Sequence, residues 1–144
     1  MTDLSKGIIE IDGIEINACT SPEEINNRLS SRYVSHLVSP SGKSESFSFH
    51  GVLVNNRLFS IELYFYFGQL ESIRLDYMNE ECYSFKQRFE QDCLWLKSAL
   101  GKPSCEGKFG IVYKYPGHRI GVTYQLNDGR CGTDEFIDVT YERG

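Results

Sequence analysis

The segment from Ser46 to Met78 alternates apolar and polar residues through three consecutive stretches separated by short polar turns. Apolar residues recur at every second position, which is the period of a β-strand with one buried face. They are Phe47, Phe49 and Leu53, then Phe59, Ile61, Leu63, Phe65 and Phe67, then Ile73, Leu75 and Tyr77. The segment therefore predicts three antiparallel strands whose apolar face must be covered by other elements.

Segments on both sides of this run predict a hairpin and two helices. Ile8 to Ile16 predicts a short hairpin that turns at Asp12-Gly13, a dipeptide favoured in tight turns. Thr20 to Glu24 combines capping hydroxyls, a proline and two carboxylates, which suits the first turn of a helix that continues to Tyr33. A second helix is predicted from apolar residues three or four positions apart, and Gly101 ends it. Its apolar stripe consists of Phe85, Phe89, Cys93, Leu96 and Leu100.

The chain ends in three more segments that have the strand period. They are Phe109–Tyr115, His118–Leu126 and Glu135–Tyr141, with a turn at Pro116-Gly117 and a longer loop at 127–129. A helix followed by three strands is therefore predicted twice, at 21–78 and at 80–142. This order predicts a single α+β domain over 1–144, with one curved antiparallel sheet of about six to eight strands and two helices on one face. Two smaller sheets that share a core are the alternative.

The composition fits one folded domain without a membrane span. A chain of 144 residues suits a single hydrophobic core, and 40% hydrophobic and 13% aromatic residues are enough to fill it. Its apolar runs are much shorter than the roughly 20 residues that a membrane helix needs. The opening MTDLSKG lacks the basic and apolar regions of a secretory signal, so we expect a cytoplasmic protein.

Charge and cysteine content argue against several kinds of site. The 15 basic and 20 acidic side chains give a net charge of −5, which disfavours nucleic-acid binding because phosphate backbones attract clustered Lys and Arg. The five cysteines are odd in number and include no close pair, which disfavours a disulfide framework and a zinc site. Since no nucleophile motif or phosphate-binding loop occurs either, we expect no catalytic residues, no metal and no cofactor.

The three central strands also predict which residues face away from the core. A three-residue loop at 55–57 would place Leu53 opposite Phe59 and align the apolar faces, whereas a two-residue turn at Asn55-Asn56 would misalign them. We therefore predict the longer loop. On the opposite face this register brings together His50, Glu62, Tyr64, Tyr66, Arg74 and Asp76. The predicted opposed pairs are His50 with Glu62, Asp76 with Glu62, and Arg74 with Tyr64.

These six residues predict a binding face, and two alternatives remain. Tyrosines offer large, stiff contact surfaces, and Arg and Asp supply oriented charged hydrogen bonds. A merely solvated face is the first alternative, since antiparallel sheets commonly expose one polar side. A catalytic pair of His50 and Glu62 is the second, but the sequence places no Ser or Cys nucleophile beside it. His36 and His118 have no neighbouring ligands in the sequence, so we predict that they are surface residues or hydrogen-bonded structural residues.

Residues 20–142 resemble small bacterial immunity or inhibitor proteins in layout. The shared features are the acidic charge, the repeated order of a helix and three strands, and Trp95 followed by Leu100–Ser104. The resemblance implies a non-enzymatic module that binds a cognate protein, such as a toxin, and blocks its action. It also implies that the six-residue face is inhibitory, with Tyr64 and Tyr66 as anchors and acidic side chains meeting basic groups of the partner. A small-molecule-binding module of the same fold is the main alternative, and an enzyme ranks third.

Overall fold

The computed structural model of the protein describes residues 1–78, 84–123 and 136–143. These residues contain two α-helices, α1 at Pro22–Leu29 and α2 at Phe85–Leu100, and a short 3-10 helix at Leu4–Lys6. The strands are β1 (Ile9–Ile11), β2 (Ile14–Ile16), β3 (Ser35–Val38), β4 (Ser44–Val54), β5 (Arg57–Tyr66), β6 (Gln69–Tyr77), β7 (Cys105–Gly107), β8 (Gly110–Tyr115), β9 (His118–Thr123) and β10 (Ile137–Tyr141). The predicted loop at 127–129 lies outside the described residues, as do Cys82 and Cys131.

Eight of the strands form one antiparallel sheet in the order β3-β4-β5-β6-β10-β9-β8-β7, which confirms the single-sheet prediction. A helix followed by four strands occurs twice, and the two halves join where β6 pairs with β10, with Leu75 opposite Ile137. The predicted repeat is therefore one strand too short in each half. The missed strands are the two edges, β3 and β7, which are too short to show a recognisable alternation. Strands β1 and β2 form the predicted separate hairpin.

One face of the sheet is buried beneath the two helices and the β1–β2 hairpin. Phe47, Phe49 and Phe59 have no exposed surface and form one cluster with the covering elements. The covering residues are Ile9, Ile11 and Ile16 of the hairpin, Ile25 and Leu29 of α1, and Phe89 and Leu96 of α2. Burying one such side chain contributes about 1.5–3 kcal/mol, so this cluster is the main source of stability. Neither described helix has the length and apolar character needed to cross a membrane.

The predicted three-residue loop between β4 and β5 is wrong. Asn55 and Asn56 form a two-residue turn in which both residues have positive φ, 46° and 64°. Asparagine tolerates this conformation, and the twist of such a turn matches that of the flanking strands. Leu53 consequently lies opposite Leu58 instead of Phe59, and it is 66% exposed instead of buried.

A bulge in β4 removes the mismatch that this short turn would otherwise cause. The register shifts between Phe49 and Val52, so the strand has an extra residue at His50-Gly51. Gly51 has φ of 68°, a conformation that glycine adopts without a steric cost from a side chain. Phe49 and Val52 both face the core as a result, although they are three positions apart.

Helix α1 is shorter than predicted. Ser21 caps it by accepting a hydrogen bond from the Glu24 backbone N–H at 3.2 Å, and a proline follows in the first turn. The helix ends at Leu29, where two serines follow, a residue type that favours turns over helix interiors. Tyr33 lies beyond the helix and packs edge-on against Phe47, with 5.3 Å between ring centres.

A buried ion pair links α2 to the sheet. Arg57 Nη1 lies 2.7 Å from Asp92 Oδ1, and the two side chains are 10% and 2% exposed. Neither atom has an aligned hydrogen-bond partner among the described residues, so the contact is ionic. The Arg57 guanidinium lies 3.6 Å from the ring centre of Tyr77 and within 5.6 Å of those of Phe59 and Trp95. These cation–π contacts help to compensate for removing the charge from water.

His118 and His36, which were predicted to be surface or hydrogen-bonded structural residues, both contact core residues. His118 is buried, and its Nε2 lies 3.1 Å from the Leu4 carbonyl oxygen. The Tyr141 hydroxyl donates to the Gly7 carbonyl at 2.6 Å, so both side chains hold the N-terminal segment on the sheet. His36 stacks on a core phenylalanine ring at the opposite end of the sheet.

Candidate functional site

The open face is the side of the eight-stranded sheet that no described helix or hairpin covers. Strand pairing places one residue from each strand in a row across it. The first row is Ser35, Ser48, Glu62, Arg74, Asp138, Gly121, Val112 and Cys105. The neighbouring row is Leu37, Ser46, Tyr64, Ser72, Thr140, Arg119 and Lys114. Small side chains therefore surround a charged centre.

The centre of the open face is a cluster of compensated charges. Glu62 lies opposite Arg74, and the Tyr64 hydroxyl donates a hydrogen bond to Glu62. Arg74 Nε donates to Asp138 Oδ1 at 3.4 Å. The Arg74 guanidinium also lies 4.4 Å from the ring centre of Phe136. These contacts hold the cluster in one arrangement, so it presents a defined pattern of hydrogen-bonding groups.

Two groups on the open face hold their protons more tightly than usual. Partial burial, with a smaller effect from the hydrogen bond to Glu62, raises the pKa of Tyr64 to about 12. Burial also raises the pKa of Asp76, while Arg88, 3.2 Å away, opposes that shift. Tyr64 is therefore a neutral hydroxyl at physiological pH, able both to donate and to accept a hydrogen bond.

The six predicted residues share the open face, but the predicted pairs are wrong. Glu62 lies opposite Arg74 rather than Asp76, and Tyr64 lies opposite Ser72 rather than Arg74. The β5–β6 turn and a bulge in β6 set a register that differs from the predicted one by two residues. Because side chains alternate with a period of two, this shift leaves the same residues on the same face.

His50 does not pair with Glu62, contrary to the prediction. It lies on the β4 bulge, where its Nδ1 is 2.8 Å from Ser60 Oγ. Asp76 lies opposite the same serine and pairs with Arg88 of α2. His50 and Asp76 therefore form a second polar group on the open face, beside the central cluster.

Tyr66 belongs to an exposed apolar patch at one corner of the open face, which we call the edge patch. Its members are Leu37, Tyr66 and Phe67, with exposed fractions of 66%, 47% and 63%. The prediction that Phe67 is buried is wrong, since it lies in the β5–β6 turn with φ of 51°. The rings of Tyr66 and Phe67 meet edge-on, with 4.6 Å between their centres.

A groove separates the edge patch from the central cluster. It has a volume of about 510 Å³, and its lining includes Leu37, Ser46, Tyr64 and Glu71. The small serine side chain leaves room beside the tyrosine ring. The groove is therefore a recess with apolar and polar walls, of a size that suits a side chain from a partner.

A second apolar patch lies at another corner of the open face, near the turn between β4 and β5. Leu53, Leu58 and Met78 form it, with exposed fractions of 66%, 37% and 40%. Met78 donates its backbone N–H to the Leu58 carbonyl at 3.0 Å, which holds it beside β5. The open face thus has a polar centre flanked by two apolar patches.

Sequence reasoning missed several members of this face. Asp138 of β10 and Phe136, the residue before that strand, both contact Arg74. Leu37 belongs to β3, a strand that the sequence did not predict. The alternation of β10 contained the signal for Asp138, because Ile137 and the other buried residues of that strand occupy the intervening positions. Nothing in the sequence signalled which strand would pair with β6.

The described part of the chain offers no cluster of potential metal ligands. No three His, Cys, Asp or Glu side chains within 1–78, 84–123 and 136–143 gather as such ligands would. Cys19 and Cys105 are exposed, and Cys93 is half-buried. The described open face presents hydrogen-bonding, charged and apolar side chains.

The sequence matches no family model, and it shows no significant similarity to curated proteins or to solved structures. A functional assignment for this chain therefore depends on the geometry of the open face and its two apolar patches.

Proposed function

We propose that this protein is a non-enzymatic binding module that holds a protein partner on the open face of its sheet. The observation that carries the proposal is the exposure of two apolar patches on either side of a hydrogen-bonded polar centre. Protein interfaces combine exposed aromatic and aliphatic anchors with polar groups in this way. Large exposed apolar patches on a folded domain commonly mark such contacts.

The edge patch is the proposed anchor. Phe67 and Tyr66 support each other through their edge-on contact, so their side chains lose little conformational freedom on binding. The adjacent groove of about 510 Å³ can receive a side chain of the partner beside Tyr64. Aromatic residues with pockets beside them are typical of the positions that dominate binding energy.

The size of the open face suits a protein rather than a short peptide. Eight strands with about 4.8 Å between neighbours give a face about 34 Å wide. A standard interface buries about 800 Å² on each partner, which a face of this width can supply.

Charge favours a basic partner. The chain carries a net charge of −5, and Glu71 lines the groove beside the edge patch. Complementary charge raises the rate of encounter and helps to select the partner. Together with the resemblance in layout to bacterial immunity proteins, this supports a neutralising role, in which the bound partner's active surface is covered.

A small-molecule-binding role is less favoured. Phe47, Phe49 and Phe59 fill the core face without exposed surface, and an apolar ligand would need space among them. The groove beside Tyr64 opens at the surface, which suits a protruding side chain better than an enclosed ligand.

Affinity capture from the source cell's lysate tests the proposal. We expect one stoichiometric partner to co-purify with the wild-type protein and to be lost from a Tyr66→Asp/Phe67→Asp variant. The matched control is Leu94→Asp, which adds charge at a residue of α2 that is also 67% exposed. Retention of the partner by the double variant, or loss by the control alone, would contradict binding through the open face.

Neutralisation is tested separately, with the captured partner. We expect cells that express the partner alone to stop growing, and cells that also express this protein to grow. Normal growth with the partner alone would show that it is not a toxin. Binding through the open face would then stand without the immunity role.

A further inference from the structure

Two basic side chains face each other at the end of the open face remote from the edge patch. Lys114 of β8 lies directly opposite Arg119 of β9, and both are exposed. The ion pairs of the described residues include neither of them. Like charges directly opposite each other on neighbouring strands destabilise a sheet, so this pair gains from an anion placed between them.

The two basic side chains line a recess of about 410 Å³. Gly121 lies beside Arg119 on β9 and leaves the backbone bare at this point. A Cβ atom there would lie 3.0 Å from the Ile111 carbonyl oxygen and 3.4 Å from Val112 Cγ2, so a larger residue would crowd β8 and reduce the recess. The recess thus depends on the glycine.

Hydroxyl groups complete the lining. Thr123 and Thr140 line the recess from β9 and β10, and each can donate a hydrogen bond. Asp138 also lines it, but its carboxylate pairs with Arg74 at 3.4 Å, so its negative charge is compensated. The recess therefore combines two cationic donors, two hydroxyl donors and little opposing charge.

We propose that this recess binds an oxyanion, either a carboxylate or a phosphate group, between Lys114 and Arg119. Arg119 can donate two parallel hydrogen bonds to such a group, and Lys114 supplies a second positive charge. The hydroxyls of Thr123 and Thr140 lie at the sides. This site lies at the end of the open face remote from the edge patch, and a small oxyanion can bind there without the proposed protein partner.

Nuclear magnetic resonance titration tests the site directly. Amide spectra of the ¹⁵N-labelled protein are recorded with sodium phosphate, with sodium acetate, and with sodium chloride at matched ionic strength. We expect saturable shifts centred on Gly121, Thr123 and Thr140 with at least one of the two oxyanions. The stronger of the two responses distinguishes a phosphate site from a carboxylate site. Shifts no larger than those with chloride, or shifts spread evenly over the protein, would overturn the proposal.

A pair of variants separates a specific site from general attraction of anions. Lys114→Gln/Arg119→Gln should weaken oxyanion binding at least about tenfold, because it removes both cationic donors. The matched control is Lys86→Gln/Lys102→Gln, which removes the same charge from exposed positions at the two ends of α2. Both variants replace exposed residues, so both proteins should stay folded and give well-dispersed amide spectra. Equal binding by the two variants would overturn the proposal.

Discussion

Tyr64 lies at the centre of the open face, with its hydroxyl bonded to Glu62 and its ring 5.7 Å from the Arg74 guanidinium. Its pKa of about 12 exceeds the ordinary value of 10.0. The folded state therefore holds this proton more tightly than the unfolded chain does. It follows that stability from this group is present below pH 10 and is lost as the pH rises to about 12.

Titration of the Tyr64 phenol tests this account. We predict that the ¹³C resonance of Tyr64 Cζ titrates near pH 12, and that Glu62→Gln lowers the midpoint only in part, because burial is the larger cause. Tyr64→Phe should also flatten the fall in stability over this pH range. A midpoint near pH 10 in the wild-type protein would contradict the described environment.

The buried pair of Arg57 and Asp92 makes a second prediction at the residue scale. Asp92→Asn leaves the guanidinium without its counter-charge, and breaking a buried pair in this way costs about 3–5 kcal/mol. We expect urea unfolding to show this loss. The double variant Arg57→Met/Asp92→Leu removes both charges and should lose less stability than Asp92→Asn alone. A double variant that is less stable than the single one would show that the pair itself stabilises the fold.

Strands β4 and β5 show why alternation alone did not predict their register. The apolar residues before and after the β4–β5 turn align with either a three-residue loop or a two-residue turn plus a bulge. Two adjacent asparagines favour the short turn, and Gly51 supplies the conformation that the bulge needs. Both signals are in the sequence, but the bulge exchanges the buried and exposed positions beyond it, so alternation alone places Leu53 on the wrong face.

Adjacent substitutions in β4 test the observed register. Val52 is 4% exposed and Leu53 is 66% exposed, so the two positions should respond differently to a charge. We predict that Val52→Asp unfolds the protein, because it buries a carboxylate without a partner, whereas Leu53→Asp leaves the melting temperature nearly unchanged. Thermal unfolding followed by circular dichroism measures both. If Leu53→Asp were the less stable variant, the three-residue loop predicted from the sequence would be supported instead of the two-residue turn.

The bulge itself is tested at Gly51. Its φ of 68° disfavours a side chain, so Gly51→Ala should destabilise the protein by about 1–2 kcal/mol. Gly107→Ala is the matched control, because Gly107 has no positive φ and a Cβ atom added there would have no neighbour within 4 Å among the described residues. Urea unfolding compares the two variants. Equal stability would show that β4 does not require glycine at the bulge.

At the scale of the whole molecule, the class of the fold was predictable and the arrangement of its edges was not. Long strands such as β5 carry enough alternating residues to identify the buried face, and the apolar stripe of α2 identifies its covering helix. The edge strand β3 has four residues, and its Leu37 and Val38 are consecutive apolar residues without alternation. The strand that pairs with β6 is β10, which begins at Ile137. The two strands are far apart along the chain, and local sequence patterns do not show that they pair.

Part of the candidate site was likewise predictable from the sequence, and part was not. The identity of the six predicted residues depended only on strand period, which a register shift of two preserves. The edge patch depended on a missed strand and on Phe67 in a turn, so the sequence contained its residues without indicating that they meet. The molecule as a whole therefore presents a broad polar face with apolar corners, which is the basis of the proposed protein contact.

Site-specific photo-crosslinking in the source cells tests that contact most directly. A benzophenone amino acid replaces Phe67 in the edge patch or, in a separate variant, Leu94 on α2, two positions that are similarly exposed at 63% and 67%. We predict that irradiation joins the Phe67 variant to one discrete protein and leaves the Leu94 variant without that product. The same product from the Leu94 variant alone, or no product from Phe67, would contradict binding through the open face.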